Sequence, residues 1–194
     1  MHLDESFWTN RYNEKSTGWD IGSPSLPLKQ YLDQIYQKHL KILIPGAGNA
    51  YEAAFAFHSG FDQVHILDYS PVPLQQFIKG HPEFPTSQIF QENFFDHHGK
   101  YDLILEQTFF CALDPVLRPL YVQKMYDLLN PGGKITGVLF SRQFQHQGPP
   151  FGGTLSEYLG YFESKFEVLI MEDCYNSIRA RAGSELFFQL RKAK

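Results

Sequence analysis

The stretch that most constrains this chain is Lys41-Ile42-Leu43-Ile44-Pro45, a short apolar run opening into Gly46-Ala47-Gly48. A run this short and uniformly apolar reads as a strand buried on both faces, the usual state of a strand in a parallel sheet. Parallel neighbours need long crossover connections, so helices should alternate with strands. Residues 26–39 place Leu28, Leu32, Ile35, Tyr36 and His39 on one helical face. Asn49 to Ser59, rich in Ala and aromatics, reads as a helix, and Val64 to Asp68 as a second strand ending on an acid. Pro71 to Lys79 reads as a helix, Gln88 to Gln91 and Tyr101 to Leu105 as strands. Leu117, Leu120, Tyr121, Lys124, Met125 and Leu128 mark a helix stopped by Asn130-Pro131-Gly132-Gly133. Lys134 to Phe140 is then a strand, and Leu155, Tyr158, Leu159 and Phe162 follow helical spacing. Phe166 to Met171 and Glu185 to Arg191 read as closing strands. No clear helix precedes the last one, so it is expected to pair antiparallel. The whole predicts an open α/β sheet, mostly parallel and covered on both faces. A closed α/β barrel ordinarily takes about 250 residues, and this chain has 194.

Composition narrows the function classes. Hydrophobic residues make up 43% and charged residues 20%, which argues against disorder. The net charge of −4 disfavours nucleic acid and anionic membrane as partners. Two cysteines, Cys111 and Cys174, cannot build a disulfide framework and read as packed thiols in a reducing compartment. No signal peptide is legible at the N-terminus, and no run reaches the ~18 apolar residues of a membrane span. The expectation is a cytoplasmic, monomeric protein. It would be a single domain of residues 1–194, with 1–25 as a lid-like segment on a 26–194 core. Residues 1–25 are aromatic and polar, and Gly18, Gly22 and Pro24 break any long period in them.

Several residues fall where such a sheet places its ligand, at the carboxyl ends of the strands. Gly46 and Gly48 let backbone approach a ligand, or make a tight strand–helix turn. A dinucleotide fingerprint needs a third glycine where Tyr51 stands, which weakens a pyrophosphate site. Asp68 can accept from ribose hydroxyls, or cap the next helix. Asn93 and Phe94 can meet the edge and face of adenine, or form an ordinary loop with a core ring. Glu106 can serve as a base or position an amino group, or act as a capping acid. The aromatic content is high, at 16% with 18 Phe, 11 Tyr and 2 Trp. Both tryptophans lie in Phe7-Trp8, Arg11-Tyr12 and Thr17-Gly18-Trp19-Asp20. Their ring faces can attract a sulfonium cation and close over a cofactor, or the segment can dock as a hydrophobic clasp. These features suit an adenosine-containing cofactor without separating a nicotinamide oxidoreductase, an S-adenosylmethionine enzyme and a non-catalytic adenosine-binding module. No metal site is expected: His97 and His98 are adjacent and point apart, and no His-x3-His occurs with an acid. Arg179 and Arg181, beside Gly183, read as loop supports.

Taken together, Phe7-Trp8, Thr17-Gly18-Trp19-Asp20, Ile44-Pro45-Gly46-Ala47-Gly48, Asp68, Tyr101-Asp102-Leu103-Ile104, Thr108-Phe109-Phe110-Cys111-Ala112-Leu113, Pro115, Arg118, Leu128-Leu129-Asn130-Pro131-Gly132-Gly133 and Gly148-Pro149-Pro150 form a pattern. It resembles the thiopurine S-methyltransferase family, nearest its halide/thiol methyltransferase branch. The resemblance implies a Rossmann-like class I methyltransferase using S-adenosyl-L-methionine, with a seven-stranded sheet whose last strand is antiparallel. It implies a small-molecule methyl acceptor: a thiol, a thiopurine-like compound or a halide. Carried onto this chain, it places Trp8, Trp19, Gly46, Gly48, Asp68, Asn93, Phe94 and Gln107 around the cofactor, with Gln107 near the methyl group. Phe151 falls on the substrate side, where the plant halide enzymes carry a tyrosine. Arg118, as a cation favouring a thiolate, and Glu106, as a proton acceptor, are the candidate catalytic residues. Gly148-Pro149-Pro150-Phe151 also resembles the signature of nucleic-acid amino methyltransferases, but it lacks the leading Asp or Asn and follows the wrong strand.

Overall fold

Successive side chains of a strand point to opposite faces, and in the central strands of this molecule both faces are buried. The structure is a computed structural model and describes residues 3–193. Seven strands form one sheet: β1 (Ile42–Pro45), β2 (Val64–Asp68), β3 (Ile89–Gln91), β4 (Tyr101–Gln107), β5 (Leu129–Phe140), β6 (Glu167–Asp173) and β7 (Glu185–Arg191), in the order β3-β2-β1-β4-β5-β7-β6. The β1–β2, β1–β4, β2–β3 and β4–β5 pairs are parallel, and β7 runs antiparallel to both β5 and β6. The mostly parallel order and the antiparallel last strand are as the sequence predicts.

The alternation divides the core in two. Ile42, Ile44, Ile66, Leu103 and Leu105 face one layer, with α2 (Leu26–Asp33), α3 (Tyr51–His58) and α4 (Pro71–Gly80) supplying Leu28, Leu32, Ala53, Ala56, Leu74 and Phe77. Leu43, Leu67 and Ile104 face the other, against Tyr121, Met125 and Leu128 of α5 (Arg118–Leu128) and Tyr158 and Phe162 of α6 (Leu155–Phe162). Each fully buried aliphatic or aromatic side chain contributes roughly 1.5–3 kcal/mol. A large share of the aromatic content is therefore structural.

Three elements differ from the sequence reading. The helix predicted over 26–39 stops at Asp33, where the Gln34 and Ile35 amides turn to the Tyr31 and Leu32 carbonyls three residues back. That tightening ends a helix and returns the chain toward β1; Tyr36, placed on the apolar face, is 93% exposed. The strand predicted to start at Lys134 begins at Leu129. A register shift opposite Tyr101 and Leu103 lets the Pro131-Gly132-Gly133 segment stay within the strand. Finally, a helix, α1 (Glu5–Asn13), stands inside the segment predicted to lack a long period. It has no buried residue and no apolar stripe; its start is set by Asp4, whose carboxylate accepts from the Phe7 amide.

Candidate active site

The sheet reverses direction of travel at β1, which has β2 on one side and β4 on the other. At such a switch point the loops leaving the carboxyl ends diverge and open a crevice. A cavity of about 940 Å³ occupies it, walled by residues following β1, β2, β3, β4 and β5 and by the N-terminal segment.

The Gly46–Ala50 turn forms one wall. Gly46, Gly48 and Ala50 all have positive φ, near 59°, 54° and 54°. A Cβ on Gly46 would lie 2.3 Å from the Phe109 ring, and one on Gly48 would lie 2.8 Å from the Tyr12 hydroxyl. Glycine is thus required twice, for backbone shape and for close approach. Asp68 ends β2 beside this turn. One of its carboxylate oxygens accepts from the Gly48 amide at 2.8 Å, the other from the Ser70 amide at 2.9 Å. Burial pushes its pKa up to about 6, against those hydrogen bonds, which lower it. Each carboxylate oxygen keeps acceptor capacity for a further donor.

The next walls come from the β3 and β4 ends. Asn93 and Phe94 both line the cavity; the Asn93 side-chain oxygen accepts from the Phe95 amide at 3.0 Å, which holds the turn. Phe94 is 3% exposed and packs edge-to-face on Phe109 at 5.1 Å, so it serves core and cavity at once. Gln107 lines the cavity with its side-chain oxygen buried and unpaired. A buried acceptor without a donor is costly, and it belongs to a residue of the cavity wall.

The N-terminal segment closes the top. Trp8 and Trp19 meet edge-to-face at 5.6 Å, Tyr12 and Trp19 at 5.7 Å, and all three line the cavity. The Tyr12 hydroxyl pKa is raised above the ordinary value, chiefly by burial and next by the nearby Asp68 carboxylate. Thr9 shares a 2.8 Å hydrogen bond with Ser70, and the Asn49 side chain donates to Asp20 at 2.6 Å. Arg181 donates to the Trp19 carbonyl at 2.7 Å and pairs with Glu185 at 3.3 Å. The segment is therefore both docked on the core and turned toward the cavity with its rings. Arg181 supports a loop, as its sequence position implies, and it also lines the cavity.

Three predicted residues are not in the wall. Glu106 is wholly buried: one oxygen accepts from the Phe109 and Phe110 amides at 2.8 and 2.9 Å, the other from the Tyr121 hydroxyl at 2.6 Å. Burial pushes its pKa up to about 7, with those three donors opposing. These contacts fit the capping alternative for Glu106: they shape the turn that carries Gln107, Thr108 and Phe109, where Thr108 has φ near 58°. Arg118 is also buried behind the wall. It donates to the Gly152 carbonyl at 2.8 Å and lies over the Phe110 ring at 4.8 Å. It anchors the 141–153 loop and is not among the residues that line the cavity. Phe151 donates its amide to the Cys111 carbonyl at 2.7 Å, while the preceding Pro149 and Pro150 line the cavity in its place.

Some cavity residues were not singled out from sequence. Arg142 and Phe144, with the guanidinium 4.9 Å from the ring centroid, line the far end together with Phe140 and Cys111. Cys111 is buried as expected, and burial raises its thiol pKa. No periodicity marks the 141–150 loop, so only its placement after β5 could have flagged it.

The donor set fits S-adenosylmethionine: close-approach glycines, a carboxylate at the β2 end, an amide and a ring after β3, an orphaned acceptor in Gln107 and an aromatic cluster for a cation. Fold and site together define a class I S-adenosylmethionine-dependent methyltransferase. The chain belongs to the thiopurine S-methyltransferase family, whose sequence profile matches residues 3–187. It is 30% identical over 197 residues to probable thiol methyltransferase 2 of Arabidopsis thaliana, covering 96% of this chain and 84% of that one. It is 26% identical over 189 residues to thiocyanate methyltransferase 1 of Brassica oleracea, covering 94% and 83%. Among solved structures, the 1,6-didemethyltoxoflavin-N1-methyltransferase of Burkholderia thailandensis, with bound 1,6-didemethyltoxoflavin and S-adenosylhomocysteine, superposes with a TM-score of 0.79 at 18% identity, covering 98% of this chain and 87% of that one. Family membership sets aside both the oxidoreductase and the non-catalytic module. Small-molecule methyl acceptors fit this family. Among the described residues, no helix is long and apolar enough to cross a membrane.

Proposed function

We propose that this methyltransferase acts on a small soft nucleophile: a thiol, a thiopurine-like compound, or an anion such as a halide or thiocyanate. The observation that carries the reading is the acceptor end of the cavity. Its walls are Phe140, Phe144, Pro149, Pro150 and Cys111, with the cation of Arg142 among them. The acid best placed by sequence to take a proton, Glu106, is sealed behind that wall by three donors of its own chain. Such a pocket suits an acceptor that arrives already nucleophilic. Thiols reach that state readily, with ordinary pKa values about 8.5.

Bound S-adenosylmethionine supplies a methyl group already activated by its positive sulfur. Trp8, Trp19, Gly46, Gly48, Asp68, Asn93, Phe94 and Gln107 are the residues that would hold it. Asp68 would accept from the ribose hydroxyls and Gln107 from the ammonium or another donor near the methyl group. The aromatic rings would face the cation, each contributing roughly 0.5–2 kcal/mol. What remains for the protein is alignment and exclusion of water; alignment alone can lower a two-reactant barrier by about 7–11 kcal/mol. Residues 1–25 would act as the lid on a 26–194 core. We further propose that the chain works as a cytoplasmic monomer without a nucleic-acid partner, in keeping with its −4 charge.

The test is a methyl-acceptor screen with S-adenosylmethionine across thiols, thiopurines, iodide, thiocyanate, phenols and amines, with products identified by mass. Methylated sulfur or halide products are expected. Methylation confined to oxygen or nitrogen acceptors would overturn the reading.

A further inference from the structure

A second cluster of ligand-type side chains lies away from the cavity, where α3 and α4 both end. His58 is the last residue of α3, His81 caps α4, and Glu83 follows two residues later. None of the three lines the cavity. His58 Nε2 lies 3.2 Å from a Glu83 carboxylate oxygen, and His81 Nδ1 lies 3.6 Å from the same oxygen. The three donor atoms all fall within 4.8 Å of one another.

We propose that His58, His81 and Glu83 form a binding site for a divalent transition-metal ion of the zinc type. Zinc–ligand bonds of about 2.0–2.1 Å place the ligand atoms of a tetrahedral site about 3.3 Å apart. Two of the three edges here already match that spacing. The third, between the imidazoles, closes by rotation of side chains that are 58% and 31% exposed.

The surroundings prepare the ligands. His58 Nδ1 sits 2.7 Å from the Ala54 carbonyl, which accepts only from a protonated Nδ1. That bond keeps the proton on Nδ1 and leaves Nε2, the nitrogen turned toward Glu83, as the one that can give up a proton and bind an ion. A ligating histidine held through its other nitrogen is the usual support of a protein metal site. His81 is held by its own amide, which donates to the Phe77 carbonyl at 2.9 Å, and by its ring, 4.7 Å from Phe77. Phe84 packs on Phe57 at 5.1 Å and on Phe77 at 5.0 Å, so the two helix ends that carry the ligands are fixed to each other.

Two imidazoles and one carboxylate favour zinc, nickel or copper over magnesium or calcium, which take oxygen ligands. Three protein ligands with an exposed face leave the fourth position to water. The ion would clip together the far ends of two helices whose first turns follow Gly46–Ala50 and Asp68. The ligands are separated by 22 residues and then by one, which matches no local metal motif; the fold alone brings them together.

The experiment uses the full chain, stripped with a chelator and then titrated with Zn2+ by calorimetry, with Mg2+ in parallel. Co2+ absorbance serves as the readout of four-coordinate geometry. One equivalent of Zn2+ is expected, with no saturable Mg2+ binding. His58→Gln with His81→Gln, and separately Glu83→Gln, should each weaken Zn2+ by at least about 10-fold. S-adenosylhomocysteine affinity, unchanged in these variants, verifies that they fold. Absence of saturable Zn2+ binding, or binding that survives the double variant at full strength, overturns the proposal.

Discussion

Asp68 is the last residue of β2 and Glu106 the next-to-last of β4, the two strands that flank the same central strand, β1, and burial raises the pKa of both. They are nonetheless different parts. Asp68 takes two backbone donors and faces the cavity; Glu106 takes two backbone donors and a tyrosine hydroxyl, and is wholly buried. A carboxylate at the carboxyl end of a parallel strand is therefore not a reactive group by position alone. What decides is how many donors of its own chain converge on it and whether its remaining lone pairs face open space. Asp68 is placed to receive a ligand; Glu106 is placed to hold a turn.

The contrast can be broken by substitution. The largest effect should come from Glu106→Ala, which strands the Phe109 and Phe110 amides and the Tyr121 hydroxyl in a dry interior. A stability loss of about 3–5 kcal/mol is expected by urea unfolding. A variant that unfolds like the parent would show that Glu106 is not a clamp. Asp68→Ala should weaken S-adenosylhomocysteine binding by about 1.5–3 kcal/mol in calorimetry, the scale of charged hydrogen bonds. Unchanged affinity would remove the ribose assignment.

Two smaller effects sharpen the description of the Asp68 wall. Gly48→Ala forces a side chain into a left-handed conformation beside Tyr12, and should cost about 1–2 kcal/mol of stability. Adding Tyr12→Phe should restore only the part due to the clash, since the backbone conformation stays. The smallest effect is a pH dependence. Ribose hydroxyls donate to the ionised carboxylate, and Asp68 titrates at about 6. Affinity should therefore be complete above that value and fall as pH drops through it, by about 1 kcal/mol between pH 7.5 and 5.5. The same titration with Asp68→Asn should be flat over that window.

The cofactor side of the molecule was more legible in sequence than the acceptor side. Gly46, Gly48, Asp68, Asn93, Phe94 and Gln107 all lie at or within three residues of a strand's carboxyl end, and a strand's buried apolar run locates that end to within two residues. Trp8 and Trp19 were legible as a motif, although the helix carrying Trp8 was not, because α1 has no apolar stripe to announce it. On the acceptor side, the loop after β5 has no period. Arg142 and Phe144 were invisible there, while Arg118 and Phe151, named from sequence, are not among the residues that line the cavity.

Sequence alone determined the sheet: short apolar strands and intervening helices can bury their surfaces on both sides in very few ways. It also determined the family, because the glycine turn, the β2 acid and the aromatic motifs recur in a set order. Only the tertiary structure decided which polar groups are spent. Asp68 and Glu106 are both acids near the carboxyl ends of their strands, and local sequence does not reveal that Tyr121, fifteen residues beyond Glu106, donates its hydroxyl to that carboxyl group. Hydrogen-bond satisfaction in a buried site depends on elements distant in the chain, so the division between structural and ligand-facing groups is settled by packing.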